Sequence, residues 1–271
     1  MNGGAPVAAP PMYDFPEIEA ANDALWRRIR VGLQARGVEG PERLTRGADL
    51  GALWRNPALV FGQTCGYPFV AALRDAVALV ATPEYAFPGC DGAEHRSFLV
   101  GAASDPRREV AAFRGGVAAV NAWDSNTGMN LFRATIAPLA GGRAFFSNVV
   151  VTGSHAASLE AIAGGRADLA AIDCVTYGLL KRLRPGLIER TAIIAESQSS
   201  PGLPFIASAR LPETTIAAAR EALFEALADP DLAETRADLG LIGARPASPD
   251  DYRRVLEMEQ AVAAVGYPAL R

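Results

Sequence analysis

Lysine is nearly missing from this chain: of its 26 basic residues only Lys181 is one. No stretch is crowded with Lys and Arg, the net charge is −4, and the isoelectric point lies near 5.4. Together these exclude the electrostatic footprint of a nucleic-acid binder. The arginine bias fits a GC-rich base composition better than any function. Histidine is scarce as well, with only His95 and His155. Cysteine occurs three times, as Cys65, Cys90 and Cys174, with no C-x-x-C pair and no metal spacing. With two distant histidines and no paired acidic ligands, neither a metal site nor a cofactor is expected. The cysteines read first as small buried thiols. A Cys65–Cys90 disulfide is the alternative, and it requires an oxidising compartment. Long apolar runs are missing too; none approaches the roughly 18 residues that span a bilayer. The opening residues, Met1-Asn2-Gly3-Gly4-Ala5-Pro6-Val7, show no basic region followed by an apolar one. As written the protein is therefore expected in the cytoplasm, or in the periplasm if the start is mis-assigned or the chain trimmed.

What remains is an ordinary globular composition. Half of the 271 residues are hydrophobic and 21% are charged, with a mean hydropathy of +0.11. Nineteen prolines and 26 glycines supply the turns that short alternating strands and helices need. Ile18, Leu25, Ile29 and Leu33 recur at helical spacing, which predicts a helix over Pro16–Ala35 with its proline early. Residues 58–62, Val77–Thr82 and Ser97–Ala102 are continuous apolar runs, as in strands buried on both faces. In the middle, strand, turn and helix follow one another three times. The strands are Val117–Asn121, Phe145–Val150 and Leu169–Ile172, the helices Met129–Ile136, Ala156–Ala163 and Val175–Leu183. That is the grammar of a compact parallel α/β lobe. After a strand at Phe205–Ala209 the remainder reads as helical, and its helices need the sheet of residues 58–102. The expected organisation is thus two α/β lobes: 1–103 with 200–271, and 104–199. Crossovers near 103–106 and 196–202 would act as hinges.

Asp124-Ser125-Asn126-Thr127-Gly128 is the most informative segment. A turn of hydroxyls and small residues between strand and helix presents backbone N–H groups at the positive end of the helix, which suits an oxyanion. Ser125 or Asn126 is equally a simple N-cap. Thr152-Gly153-Ser154-His155 occupies the equivalent place one unit later, at the carboxyl edge of the same sheet. Two such turns converging predict a shared anion site. His155 is either a surface residue in the cap or a donor to the anion; His95, in a polar loop, is expected to be solvated. Asp173 follows an apolar strand at the same edge and either caps the next helix or contacts a ligand. Thr64, Cys65, Gly66 and Tyr67 form the corresponding turn of the other lobe, with Tyr13 as a further candidate contact.

At these positions the chain resembles the substrate-binding proteins of phosphate, phosphite and phosphonate ABC transporters. The resemblance rests on Leu59 to Phe69 (Leu-Val-Phe-Gly-Gln-Thr-Cys-Gly-Tyr-Pro-Phe), Ser125-Asn126-Thr127-Gly128, Gly153-Ser154-His155, Ala170-Ala171-Ile172-Asp173 and Pro201-Gly202-Leu203-Pro204. It implies a type II periplasmic-binding-protein fold, with a mostly parallel sheet in each lobe and the ligand held between the lobes. It also implies that Ser125, Thr127 and Gly128 grip the anion and that His155, Tyr13 and Tyr67 contact it. Asp173 would read an amino group. Asn126 stands where the family often has Thr or Ser.

The function expected is capture of a small oxyanion or phosphonate-like ligand without chemical change, by a monomer serving an ABC permease. The alternative is an enzyme or sensor on the same scaffold. For an enzyme, the available pairs are His155 with Asp173, or Cys65 with His155, and no G-x-S-x-G or H-E-x-x-H motif accompanies them. A regulator is a further alternative, but no helix-turn-helix segment precedes the lobes.

Overall fold

The computed structural model describes residues 4–271. In chain order its strands are β1 (Val7–Ala8), β2 (Leu59–Gln63), β3 (Val77–Tyr85), β4 (Glu94–His95), β5 (Ser97–Ala102), β6 (Val117–Val120), β7 (Asn148–Val151), β8 (Leu169–Asp173), β9 (Thr191–Glu196), β10 (Ser200–Pro201), β11 (Phe205–Ser208) and β12 (Leu241–Arg245). The helices are α1 (Glu19–Ala35), α2 (Leu50–Trp54), α3 (Gly66–Ala71), α4 (Leu131–Ala140), α5 (His155–Ala163), α6 (Cys174–Leu183), α7 (Pro185–Ile188), α8 (Glu213–Ala228), α9 (Ala233–Leu239) and α10 (Arg253–Ala264). No helix among the described residues is long and apolar enough to cross a membrane.

The contacts divide the chain into two units. One comprises Met1–Ala86 with Pro201–Asp251, the other Phe87–Ser200 with Tyr252–Arg271.

In the first unit the sheet order is β1-β2-β11-β3-β12. β1 runs parallel to β2, whereas β11 lies antiparallel to both β2 and β3, and β12 is antiparallel to β3. The three early strands therefore share one direction, and the two late ones oppose it. α1 follows its predicted periodicity, burying Leu25, Ile29 and Leu33. Its Gly32 lies so close to α8 that a methyl group there would sit 2.8 Å from the Ala222 Cβ. Trp26, Phe61 and Phe205 stack in series between helix and sheet, with centroids 6.0 and 5.1 Å apart.

The second unit's sheet has the order β7-β6-β8-β5-β9. β6 is parallel to both β7 and β8, while β5 is antiparallel to β8 and β9. Four strands thus point one way around a single reversed one. Its core gathers Leu99, Val120, Phe132, Ile136, Phe145 and Leu169, together with Tyr267 and Leu270 from the C-terminal segment.

Four expectations need correction. The sheets are mixed: β11 and β12 oppose β1, β2 and β3 in the first, and β5 opposes the other four strands in the second. Ser97–Ala102 pairs with β8 and β9 rather than with the first sheet, so the first passage between units falls after Ala86, not near 103–106. A third passage follows Asp251, where two were expected, because α10 packs against α4 of the second unit. The tail is not wholly helical: Leu241–Arg245 is a strand, its apolar run hidden by Gly243 and Arg245.

Candidate functional site

The site is built where β6, β7 and β8 end and their helices begin. β6 runs apolar to Val120, and Ser125 then stops the chain in an extended conformation. Its Oγ accepts the Gly128 amide at 2.9 Å, satisfying one of the donors that a helix start leaves without an internal acceptor. The first turn, Asn126–Asn130, is a π-turn rather than an α-turn. The Asn130 amide reaches five residues back to the Ser125 carbonyl at 3.0 Å. α4 follows directly, so the opening turn is widened at the place where a ligand would meet it.

A buried polar chain braces this turn. Ser97 on β5 donates its hydroxyl to the Thr127 carbonyl at 2.7 Å. Asn126 donates to Ser200 Oγ at 2.7 Å, and Asn130 donates to the Asn126 side-chain carbonyl at 3.2 Å and the Val255 carbonyl at 3.1 Å. Arg133 donates to Asn130 Oδ1 at 2.8 Å and to the Pro268 carbonyl at 2.6 Å, with Glu259 at 3.6 Å. Asn126 and Asn130 are fully buried, and each buried amide needs its partners. Gly128 is required by space: a Cβ there would fall 1.7 Å from Asn121 Oδ1 and 3.0 Å from His155 Cε1.

The second start repeats the cap. Ser154 Oγ accepts the Ala157 amide at 3.0 Å, and Gly153 turns the chain with φ +89°, open to glycine alone without strain. His155, the first residue of α5, places Nε2 3.0 Å from Thr127 Oγ1. One side-chain contact therefore joins the two helix starts. His155 Nδ1 is buried and has no hydrogen-bond partner among the described residues. Burial, the largest cause, pushes the imidazole below its usual pKa; the Asp173 charge pulls it up, and His95 adds to the lowering.

Asp173 ends β8 and is buried. Its Oδ1 accepts the Thr176 amide at 2.9 Å and caps α6. Its Oδ2 lies 3.3 Å from His95 Nδ1 without forming a hydrogen bond. His95, expected in solvent, is buried with 3% of its surface exposed. The polar text around it concealed the short strand Glu94–His95, which carries the ring inward. Desolvation again leads in lowering its pKa, opposed by the charges of Asp173 and Glu94 and supported by Arg254.

The candidates of the first unit lie on its own elements. Thr64 follows β2 and is fully buried, its Oγ1 lacking a hydrogen-bond partner among the described residues, while its amide donates to the Pro204 carbonyl at 3.1 Å. Tyr67 lies half-buried in the first turn of α3. Tyr13 is buried edge-on against Tyr85, with centroids 5.3 Å apart. Gln63, overlooked in the sequence, ties the start of the chain to this edge: it accepts the Met12 amide at 2.8 Å and donates to the Leu203 carbonyl at 2.9 Å. The other overlooked residues are Ser97, Asn121, Asn130, Arg133 and Ser200. Only Asn121, a polar residue closing an apolar strand, carried a local signal.

Comparison with known proteins gives a consistent result. Residues 50–252 match the family described as "ABC transporter, phosphonate, periplasmic substrate-binding protein". No curated protein matches the chain. Among solved structures, a binding-protein component of an ABC phosphonate transporter from Pseudomonas aeruginosa is 14% identical with a TM-score of 0.75, covering 97% of this chain and 88% of that one. The Xanthomonas citri protein XAC2383 bound to chloride ion is 14% identical with a TM-score of 0.73, over 97% and 99%. PhnD1 from Prochlorococcus marinus in complex with methylphosphonate is 12% identical with a TM-score of 0.72, over 95% and 98%. At such identities these structures speak for the fold, and the match to the family model speaks for kinship. With residues 50–252 matched, the chain belongs to the periplasmic substrate-binding proteins of phosphonate ABC transporters.

Proposed function

We propose that this protein binds a small phosphonate-like oxyanion at the starts of α4 and α5, leaves it chemically unchanged, and acts as a monomer that delivers it to an ABC permease. The observation that carries this reading is the 3.0 Å contact between Thr127 Oγ1 and His155 Nε2. It brings two capped helix starts together, so that their amides and hydroxyls can receive one anion without a formal positive charge. Ser125, Asn126, Thr127, Gly128, Ser154 and His155 are the proposed contacts in this unit. Asp173, with one oxygen held in the cap, offers the other to a ligand's donor group. Thr64, Tyr67 and Tyr13 are the contacts proposed for the first unit.

The surroundings support binding without turnover. Ser125 Oγ already receives an amide, and the buried Asp173 does not hydrogen-bond His155. His155 and Asp173 therefore lack the base–orienter contact that covalent catalysis requires. The test is thermal unfolding with phosphate, phosphite, methylphosphonate and 2-aminoethylphosphonate in turn. A ligand at a hundred times its dissociation constant adds about 2.7 kcal/mol, which for a chain of this size moves the midpoint by roughly 5–10 °C. A folded protein whose midpoint no member of the panel moves is not a phosphonate-binding protein.

A further inference from the structure

We propose that Cys90 and Cys174 form a disulfide that latches the loop carrying His95 onto the start of α6. Cys90 and Cys174 are not bridged here, but their sulfurs already lie 3.5 Å apart. That is about 1.5 Å beyond a bonded pair.

The approach is built into the packing. Cys174 and Gly178 stand one turn apart on α6 and form a single face. A methyl group on Gly178 would meet the Phe87 ring at 2.4 Å, and one on Gly89 would meet Cys174 Cβ at 2.8 Å. Gly89 adopts φ +90°, so the glycine both removes the obstructing atom and turns the chain. Residues 87 and 89 thus lie against the helix, and residue 90 follows them to the neighbouring sulfur. Both cysteine backbones are tied down: the Cys174 amide donates to the Arg96 carbonyl at 3.0 Å and the Cys90 amide to the Phe87 carbonyl at 3.1 Å. Cys65 belongs to the other unit.

The chemistry is dithiol–disulfide exchange with an external disulfide, such as oxidised glutathione or an oxidised protein dithiol. Cys90 is half-buried and Cys174 fully buried, so the Cys90 thiolate attacks first and forms a mixed disulfide while one external sulfur leaves as a thiol. The Cys174 sulfur then displaces the second external sulfur. Two protons pass from the two cysteines to the two leaving thiolates, and two electrons reduce the external disulfide. The hydrogen bond to Cys90, together with burial, raises the Cys174 thiol pKa, which favours this order over the reverse. The family's periplasmic compartment is one in which disulfides persist.

The experiment uses the full chain with no ligand added, so its outcome is independent of the anion site. Oxidised glutathione should lower the intact mass by two hydrogen atoms. Peptide mapping should join the Cys90 and Cys174 peptides, leaving one thiol to titrate after unfolding. The oxidised form should unfold roughly 5–10 °C higher than the reduced one, with slower hydrogen exchange over residues 89–96. Cys65→Ala should preserve the rise and Cys90→Ser should remove it. Three titratable thiols after oxidation, a bridge involving Cys65, or a rise that survives in Cys90→Ser would each overturn the proposal.

Discussion

The starts of α4 and α5 use the same local code and live in different surroundings. Each is opened by a serine whose hydroxyl accepts the amide three residues on, at 2.9 Å in one and 3.0 Å in the other. Ser125 is buried and its turn is braced by Ser97, Asn126, Asn130 and Arg133; Ser154 is exposed and follows a glycine at which a Cβ would meet no atom. The contrast teaches that a cap motif states where a helix begins and not how rigidly it is held. The α4 start is the braced half of the proposed site, its π-turn held by a buried network. The α5 start is the less braced half, joined to it through Thr127 and His155.

The largest expected effect breaks the comparison at its two glycines. Gly128→Ala drives a methyl group into Asn121 and against His155, displacing the groups proposed to grip the ligand. A cost of about 2–3 kcal/mol in stability and loss of most anion affinity are expected. Gly153→Ala meets no neighbour and costs only the strain of its positive φ, about 1 kcal/mol, with binding weakened less. Denaturant unfolding and calorimetric titration with methylphosphonate distinguish the two. Equal losses in both variants would show that the α4 start is no more rigidly set than the other.

Protonation sharpens the comparison from the other side, since His155 opens α5 and no titratable group lies within the Asn126–Asn130 turn. Both histidines have folded-state pKa values below the ordinary 6.5, so below that pH the unfolded chain binds protons that the folded chain refuses. Stability is therefore full above about pH 6.5 and falls as the pH drops below it. Asp173 faces both rings, and Glu94 and Arg254 face His95. The unfolding midpoint should drop by several degrees from pH 7 to pH 5. His95→Gln should remove part of that drop, and the remainder should vanish on adding His155→Gln. An unchanged acid slope in the double variant would place the sensitivity elsewhere.

The same contrast explains what the sequence disclosed. Ser97–Ala102, Val77 onward and the three middle units were legible because apolar runs bounded by turn residues are local signals. The direction of β5 and β11 was not, since nothing in a short apolar run tells which sheet it joins or which way it enters. Ser125, Ser154 and Asp173 announced themselves as residues between strand and helix. His95 misled because its neighbours, Glu94 and Arg96, are charged, although the two-residue strand turns it inward. Asn130 and Arg133 look like ordinary helix residues. Their role arises only when Val255 and Pro268, more than a hundred positions later, bring carbonyls to them.

The smallest effect separates capping from ligand contact. Ser125→Ala removes a buried acceptor and should cost about 1–2 kcal/mol, whereas Ser154→Ala, at an exposed cap, should cost about 0.5–1 kcal/mol. Glycine at an N-cap restores most of a cap's stability without a hydroxyl. If Ser125 touches the anion, Ser125→Gly should recover the fold's stability yet keep the weakened affinity of the alanine variant. At Ser154, where the hydroxyl sits on the less braced half, glycine should bring stability and affinity back together. Chemical denaturation paired with titration reads both quantities on the same four variants. Full recovery of affinity in Ser125→Gly would reduce Ser125 to a cap and leave the grip on the anion to backbone amides, Thr127 and His155.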